Sequence, residues 1–226
     1  MPQQLSLDLP AKTALGRGDF FVSPSNAIAV AMIDNANDWP QRKLLLNGPD
    51  GAGKTHLTHV WAEQNNARII AARDLAQTDI PDLASGPIAV EDVPEIAGDD
   101  AAQAALFHLH NLVLAQGHAL LMTGRGAPRG WALSLPDLQS RVEGTQCITL
   151  PPPDDALLSA VLAKLFHDRQ ITPRPDVIPY LVLQIDRSFA AAAKIVDLLD
   201  QTALAEKRNV SRALAVRLLG ESRETG

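Results

Sequence analysis

The octapeptide GPDGAGKT at residues 48–55 constrains the fold of this 226-residue chain more than any other feature. It matches the pattern G-x-x-x-x-G-K-[ST] and stands between the apolar run LLLN at 44–47 and the helical stretch THLTHVWAEQ. In a strand, glycine-rich turn and helix of this kind, successive backbone N–H groups point into one concavity, and the helix N-terminus adds partial positive charge. The pattern predicts a phosphate-binding loop; a glycine-rich turn with a chance lysine is the alternative.

The residues of this loop have separate expected tasks. We expect the Lys54 ammonium group to reach the β- and γ-phosphates of a nucleotide and the Thr55 hydroxyl to bind Mg²⁺. The residues predicted to surround the nucleotide at this loop are Gly48, Pro49, Asp50, Gly51, Ala52, Gly53, Lys54, Thr55 and His56. A nucleotide and Mg²⁺ are therefore the expected ligands.

An acidic pair follows a second apolar run, PIAVED at residues 87–92. Carboxylates at the end of a buried strand are seldom merely structural, because an unpaired buried charge is costly. Glu91 is the predicted second magnesium ligand, and Asp92 is the predicted catalytic carboxylate that polarises water; two exposed loop carboxylates are the alternative. Because P-loop ATPases generally show Asp before Glu, the shorter side chain here takes the catalytic place, and we expect slow intrinsic hydrolysis.

Apolar runs alternate with helical stretches over residues 19–150, which predicts an α/β domain with a parallel five-stranded sheet. The runs are LLLN at 44–47, ARIIAA at 67–72, PIAVED at 87–92, ALLMTG at 119–124 and TQCITL at 145–150. Three prolines at 151–153 form a stiff connector, and the patterns beyond them are helical, so residues 151–226 are predicted to form a small all-α domain.

The segment before the first strand has two predicted parts. Residues 1–18 are polar, contain glycine and proline, and are expected to form a flexible tail. After them, Ser25 is predicted to cap a helix whose apolar positions are Ile28, Met32 and Ile33.

Composition limits the classes of function. Hydrophobic residues make up 46% of the chain, enough for a real core, and the net charge of -6 argues weakly against a general nucleic-acid binder. The single cysteine, Cys147, cannot form an internal disulfide, which favours a reducing compartment. Because no apolar run approaches the length of a membrane span, we expect a cytoplasmic protein without membrane contact.

The order of these motifs resembles that of the AAA+ ATPases, and within them the DnaA/Hda family of bacterial replication-initiation proteins. The likeness covers most of residues 19–219 and includes LLMTG, LPDLQSR and the helical C-terminal part. It implies a P-loop AAA+ domain followed by a helical lid, with ATP or ADP as the ligand.

The resemblance also implies roles for particular residues. Thr123, at the end of the fourth strand, takes the position that senses the γ-phosphate. Arg141 in LPDLQSR takes the position of an arginine finger that reaches a neighbouring subunit's nucleotide; an ordinary surface salt bridge is the alternative. In FFVSPSN, Phe21, Val22 and Asn26 are implied to lie against adenine, with hydrophobic-core packing as the alternative.

One position departs from the family pattern. Where relatives carry a sensor 2 arginine that faces the γ-phosphate, the matching residue is Ala190. Arg187 lies one turn earlier and is the candidate to replace it. Without such a replacement, the site should hold ADP at least as well as ATP.

The N-terminal stretch QLSLDL resembles the hexapeptide by which bacterial proteins dock into the DNA polymerase III sliding clamp. An extended backbone places alternate side chains on one face, so the expected clamp-binding residues are Gln4, Leu5, Leu7 and Leu9. An extra edge strand or a self-associating segment is the alternative.

Together, these resemblances imply a negative regulator that docks on the clamp and promotes hydrolysis of ATP bound to the initiator DnaA, an effect called regulatory inactivation. Its partners would be DnaA and the clamp. We expect no direct sequence-specific DNA binding, because the chain ends at Gly226 without the family's helix-turn-helix domain. The sequence is compatible with both a monomer and a homodimer. The alternative functions are a self-sufficient helicase-loader-like ATPase and a clamp-bound adaptor.

Overall fold

A computed structural model describes residues 21–224 of the chain. The clamp-binding motif predicted at Gln4, Leu5, Leu7 and Leu9 lies outside the described residues. The strands are β1 (Lys43–Asn47), β2 (Arg68–Ala71), β3 (Ile88–Glu91), β4 (Leu120–Gly124) and β5 (Cys147–Thr149). The α-helices are α1 (Ala27–Asp34), α2 (Lys54–Asn65), α3 (Ile80–Leu83), α4 (Asp100–Ala115), α5 (Pro136–Glu143), α6 (Asp155–Asp168), α7 (Val177–Gln184), α8 (Phe189–Ala205) and α9 (Arg212–Glu224).

All five strands are parallel and lie in the order β2-β3-β4-β1-β5. The predicted α/β fold with a parallel five-stranded sheet and a helical C-terminal part is therefore confirmed. Strand β1 lies between β4 and β5. Because the strands are parallel, the residues that follow β1 and β4 lie side by side at the end of the sheet where the strands' carboxyl ends meet, here called the carboxyl edge. In this register Leu46 is opposite Thr123, and Asn47 is opposite Gly124.

The sheet is buried on both faces because side chains alternate along each strand. In β1, Leu45 belongs to the hydrophobic cluster formed with α4 and α5, whereas Leu44 and Leu46 belong to the cluster formed with α1 and α2. In β3, Val90 belongs to the cluster with α4 and α5, and Ala89 belongs to the cluster with α1 and α2. The apolar runs of the sequence thus supply two core layers from one sheet.

Helices α6 to α9 have a hydrophobic cluster of their own. Its fully buried members include Leu158, Phe166, Leu181, Val196 and Leu214. We call residues 151–224 the helical part. The division of the chain at residue 150 stays a prediction.

The first helix differs in detail from its prediction. It starts at Ala27 after Asn26, and no side chain caps it. Among its predicted apolar positions Ile33 is buried and Met32 half-buried, whereas Ile28 is 73% exposed. The buried face also contains Ala29 and Val30, so the side of the helix that faces the sheet is rotated away from Ile28.

Over residues 21–224, the structure contains no helix with the length and apolar character needed to cross a membrane.

Candidate nucleotide-binding site

The predicted phosphate-binding loop lies at the carboxyl edge of the sheet, between β1 and α2. Gly51 and Gly53 adopt left-handed backbone conformations, with φ of 70° and 98°. A Cβ atom at Gly51 would overlap Ser188, and one at Gly53 would overlap the Phe189 ring. The loop therefore needs glycine both for its backbone and for its contact with the start of α8.

The helical part is hydrogen-bonded to this loop. The backbone N–H of Phe189 donates to the carbonyl of Gly51 at 2.9 Å. A ligand held by the loop would therefore lie beside the first turn of α8, so binding can be coupled to the position of the helical part.

Lys54 is the buried cation of the loop. Its Nζ donates to the carbonyls of Gly48 at 2.8 Å and Pro49 at 3.0 Å. Burial is the main cause that lowers the pKa of Lys54, and the carboxylates of Asp50 and Asp92 act in the opposite direction. The ammonium group thus lies inside the concavity, as the phosphate-binding hypothesis requires.

Glu91 at the end of β3 faces the predicted magnesium ligand Thr55. Burial raises the pKa of Glu91, while a hydrogen bond from the Thr55 hydroxyl lowers it. Within the described part of the chain, Oε1 of Glu91 is buried and has no hydrogen-bond partner. A carboxylate oxygen without a partner beside a hydroxyl fits Mg²⁺, whose ligands in proteins are oxygen atoms.

Asp92 and Thr123 tie the ends of β3 and β4 together. Asp92 adopts a left-handed backbone conformation with φ 55°, and its N–H donates to Oγ1 of Thr123 at 3.0 Å. Thr123 is buried, and its hydroxyl keeps its own proton for donation, because it accepts in this bond. Both residues lie at the edge that holds the phosphate-binding loop.

One ion pair at this edge was not anticipated from the sequence. Nη1 of Arg125, in the residue directly after β4, lies 2.6 Å from Oδ2 of Asp50 in the loop. The only sequence signal was a polar residue directly after an apolar strand, which is too common to single out Arg125.

The residues predicted to contact adenine divide into two groups. Phe21 and Val22 expose nearly half of their surface, which disfavours their packing in the hydrophobic core. Asn26 is buried, and its amide is used within its own turn: Nδ2 donates to the Phe21 carbonyl and Oδ1 accepts from the Ser23 N–H, both at 2.9 Å. Asn26 thus orders the segment that carries the two exposed apolar side chains.

Arg187, the candidate sensor 2 replacement, precedes α8 rather than lying on it. Its guanidinium group pairs with Asp155 and donates to the Pro153 carbonyl at 3.2 Å. Ala190 is exposed in the first turn of α8. Arg187 is therefore held at the start of α6, and the shared helix face assumed for it is absent.

Arg141 lies on α5, at the edge of the sheet opposite the loop. Its carbonyl accepts from Oγ1 of Thr145 at 2.8 Å and from Nζ of Lys43 at 3.4 Å. Lys43 begins β1, which is about 13 Å long, and the loop follows the other end of this strand. The backbone of Arg141 therefore lies near the amino end of β1, and the loop lies at its carboxyl end.

The Arg141 guanidinium group is exposed and lies over the Phe107 ring, 4.9 Å from its centroid. No carboxylate of the described side chains lies within 4.0 Å of it, whereas several other surface arginines have such partners. In the described part of the chain, Arg141 therefore has no carboxylate with which to form the surface salt bridge that was the alternative.

No family model matches the sequence. The fold is similar to that of domain III of the Thermotoga maritima replication initiation protein DnaA, with 18% identity, a TM-score of 0.80, and coverage of 94% of this chain and 98% of that one. It is also similar to AMPPCP-bound DnaA from Aquifex aeolicus, with 18% identity, a TM-score of 0.68, and coverage of 80% and 63%.

A third similar structure is a replication initiator DnaA bound to AMPPCP and single-stranded DNA, with 18% identity, a TM-score of 0.67, and coverage of 84% and 67%. At this identity the likeness establishes the fold alone, which is that of DnaA domain III.

Proposed function

We propose that this chain is an Hda-type AAA+ regulator of bacterial replication initiation, which binds an adenine nucleotide and promotes hydrolysis of ATP bound to DnaA. The observation that carries the proposal is the position of Arg141. An exposed arginine at the sheet edge opposite its own phosphate-binding loop suits the nucleotide site of another protein. The fold shared with DnaA supports a partner of related shape, since AAA+ domains can stack edge to edge.

In the chain's own site, the loop N–H groups and Lys54 would hold the phosphates. AMPPCP, bound by two of the similar proteins, supports an adenine nucleotide as the ligand. Thr55 and Glu91 would hold Mg²⁺, which when bound neutralises phosphate charge. Asp92 would orient the attacking water, and because its side chain is short, we expect slow turnover. The nucleotide would then serve mainly to set the conformation of the chain.

In the partner's site, Arg141 would act on the reaction of another protein. As the attacking water oxygen bonds to the γ-phosphorus and the bond to the β,γ-bridging oxygen breaks, negative charge spreads over the phosphoryl oxygens. The guanidinium group stabilises this charge with two parallel N–H donors. The Arg141 guanidinium group lies over the Phe107 ring and has no carboxylate of the described residues within 4.0 Å, so its N–H donors could face such a group.

The tail would supply the location. With Gln4, Leu5, Leu7 and Leu9 docked on the sliding clamp, the regulator would be concentrated where clamps are loaded, that is, on newly replicated DNA. Hydrolysis would then convert ATP-DnaA into ADP-DnaA after initiation.

The test measures hydrolysis of ATP bound to DnaA in the presence of clamp-loaded DNA. We expect Arg141→Ala to reduce the stimulated rate by at least about 100-fold. We expect the Leu5/Leu7/Leu9→Ala variant to lose the stimulation of DnaA hydrolysis as well, because it no longer docks on the clamp. Arg129→Ala removes another exposed arginine and serves as the matched control that keeps full stimulation.

Other outcomes would favour the alternatives. An adaptor whose P-loop only stabilises the fold would leave DnaA hydrolysis unchanged in Arg141→Ala. A self-sufficient ATPase would hydrolyse ATP alone, respond to single-stranded DNA and lose that activity in Lys54→Ala.

A further inference from the structure

Arg125 stands at the opening of the phosphate-binding loop. It follows β4 directly, and its ion pair with Asp50 joins the end of that strand to the loop. Its positive charge also lowers the pKa of Lys54, which places the two cations near each other. Arg125 therefore belongs to the electrostatic surroundings of any phosphate held by Lys54.

The backbone at Arg125 is fixed from behind. Nε1 of Trp131 donates to the Arg125 carbonyl at 2.7 Å, and Trp131 is buried. The indole packs so closely on Gly124 that a Cβ atom there would overlap it. The anchored backbone leaves only the side chain of Arg125 to move, which makes a change of partner inexpensive.

The ion pair itself is weakly held. The side chains of Arg125 and Asp50 are 51% and 74% exposed, and exposed pairs of this kind contribute little to stability. A phosphate group carries more charge than a carboxylate and accepts two parallel bonds from a guanidinium group. A bound phosphate would therefore compete well with Asp50 for Arg125.

A second cation beside Lys54 would add a charged hydrogen-bond donor for a bound phosphate. Arg187, the candidate from the helical part, is held by Asp155 and the Pro153 carbonyl. Within the described residues, Arg125 is the arginine whose charge acts on Lys54. Asp50, by contrast, brings negative charge into a loop that must receive negative phosphates.

We propose that Arg125 is a phosphate-binding residue of this chain, which exchanges Asp50 for the terminal phosphate of the bound nucleotide. The proposal rests on the nucleotide binding proposed above for the loop. Asp50 then acts as a competitor that holds Arg125 while the site is empty. The additional hydrogen bonds fall on the γ-phosphate, so they favour ATP over ADP and compensate for alanine in place of arginine at position 190.

The test is calorimetric titration of the full chain with Mg-ATP and Mg-ADP. We expect Arg125→Gln to weaken ATP binding about 10-fold or more and ADP binding clearly less, in line with the removal of a charged hydrogen bond. Asp50→Asn should tighten ATP binding a few-fold, which corresponds roughly to the free-energy contribution of one exposed ion pair. Arg129→Gln is the control and should leave both affinities unchanged.

The double variant Asp50→Asn/Arg125→Gln separates a phosphate contact from mere neutralisation of Asp50. We expect ATP binding to stay weak in the double variant. Recovery of the wild-type affinity, or an unchanged affinity in Arg125→Gln, overturns the proposal while leaving nucleotide binding intact. A wild-type chain that binds neither nucleotide overturns nucleotide binding itself, and thermal unfolding of each variant identifies any loss of fold.

Discussion

His110 is a buried histidine between two cations. Burial, followed by the charges of Lys43 and Arg141, lowers its pKa to about 4, and Asn111 acts in the opposite direction. Well above pH 6.5 the ring is neutral in both the folded and the unfolded chain, so it has no effect on stability there. As pH falls below 6.5, the unfolded chain takes up a proton that the folded chain refuses, and stability is lost.

The acid sensitivity of His110 is therefore a measurable prediction. Between pH 7 and pH 4 the free energy of unfolding should fall by about 3 kcal/mol through this residue alone. His110→Leu should remove that part of the loss, while His108→Leu, at an exposed position on the same helix, should not. Equal pH profiles of urea unfolding for the wild type and His110→Leu would refute the assignment.

Glu91, at the proposed magnesium site, has the opposite effect on the pH dependence of stability. Its raised pKa means that folding disfavours the ionised form. Well below pH 4 the carboxyl group is neutral in both the folded and the unfolded chain, and it does not reduce stability. As pH rises, the unfolded chain ionises first and stability falls; the loss is complete above the folded-state pKa.

We therefore expect Glu91→Gln to raise the melting temperature of the free protein at pH 7.5 by roughly 2 °C, with no gain at pH 3.5. The same variant should lose the effect of Mg²⁺ on nucleotide affinity. A lower melting temperature at pH 7.5 would mean that the carboxylate is structural. Glu95→Gln, an exposed neighbour, is the control.

At the scale of elements, the contact between the loop and α8 depends on a glycine. Alanine at position 53 would have to adopt φ near 98° and would overlap the Phe189 ring. We expect Gly53→Ala to destabilise the protein by about 1–3 kcal/mol and to abolish nucleotide binding. Gly98→Ala, where a Cβ atom meets nothing within 4 Å, should do neither in unfolding and binding assays.

The strands were predictable and the side-chain contacts were not. Leu44, Leu45 and Leu46 are apolar because both faces of β1 are covered, and that requirement is visible in the sequence itself. The exposure of Ile28 was not visible, since helical spacing does not say which side of α1 faces the sheet. The buried face of α1 is formed by Ala29, Val30 and Ile33.

The candidate site shows the same limit. The loop and the ends of β3 and β4 follow from local pattern, because parallel strands carry their carboxyl ends to one edge. The ion pairs of Arg125 and Arg187 join residues 75 and 32 positions away, and no local pattern records such partners. The apposition of Glu91 and Thr55 was inferred from motif roles, and the structure brings them together.

On the scale of the molecule, the sheet separates the two proposed sites. Its carboxyl edge carries the candidate phosphate-binding loop, the acidic pair and the start of α8, and its amino edge carries Arg141 near Lys43. In the proposed function, a nucleotide bound at one edge would change the helical part through the Phe189–Gly51 contact, whereas Arg141 would act on a partner at the other edge.

If Arg141 serves a site outside its own chain, as proposed, a single variant separates that site from the chain's own. In Arg141→Ala, calorimetry of the chain's own ATP and ADP binding is compared with single-turnover hydrolysis of ATP preloaded on DnaA. We expect unchanged affinities for the chain's own nucleotide together with hydrolysis on DnaA at its unstimulated rate. Undiminished stimulation of DnaA, or a parallel loss of the chain's own nucleotide binding, would contradict it.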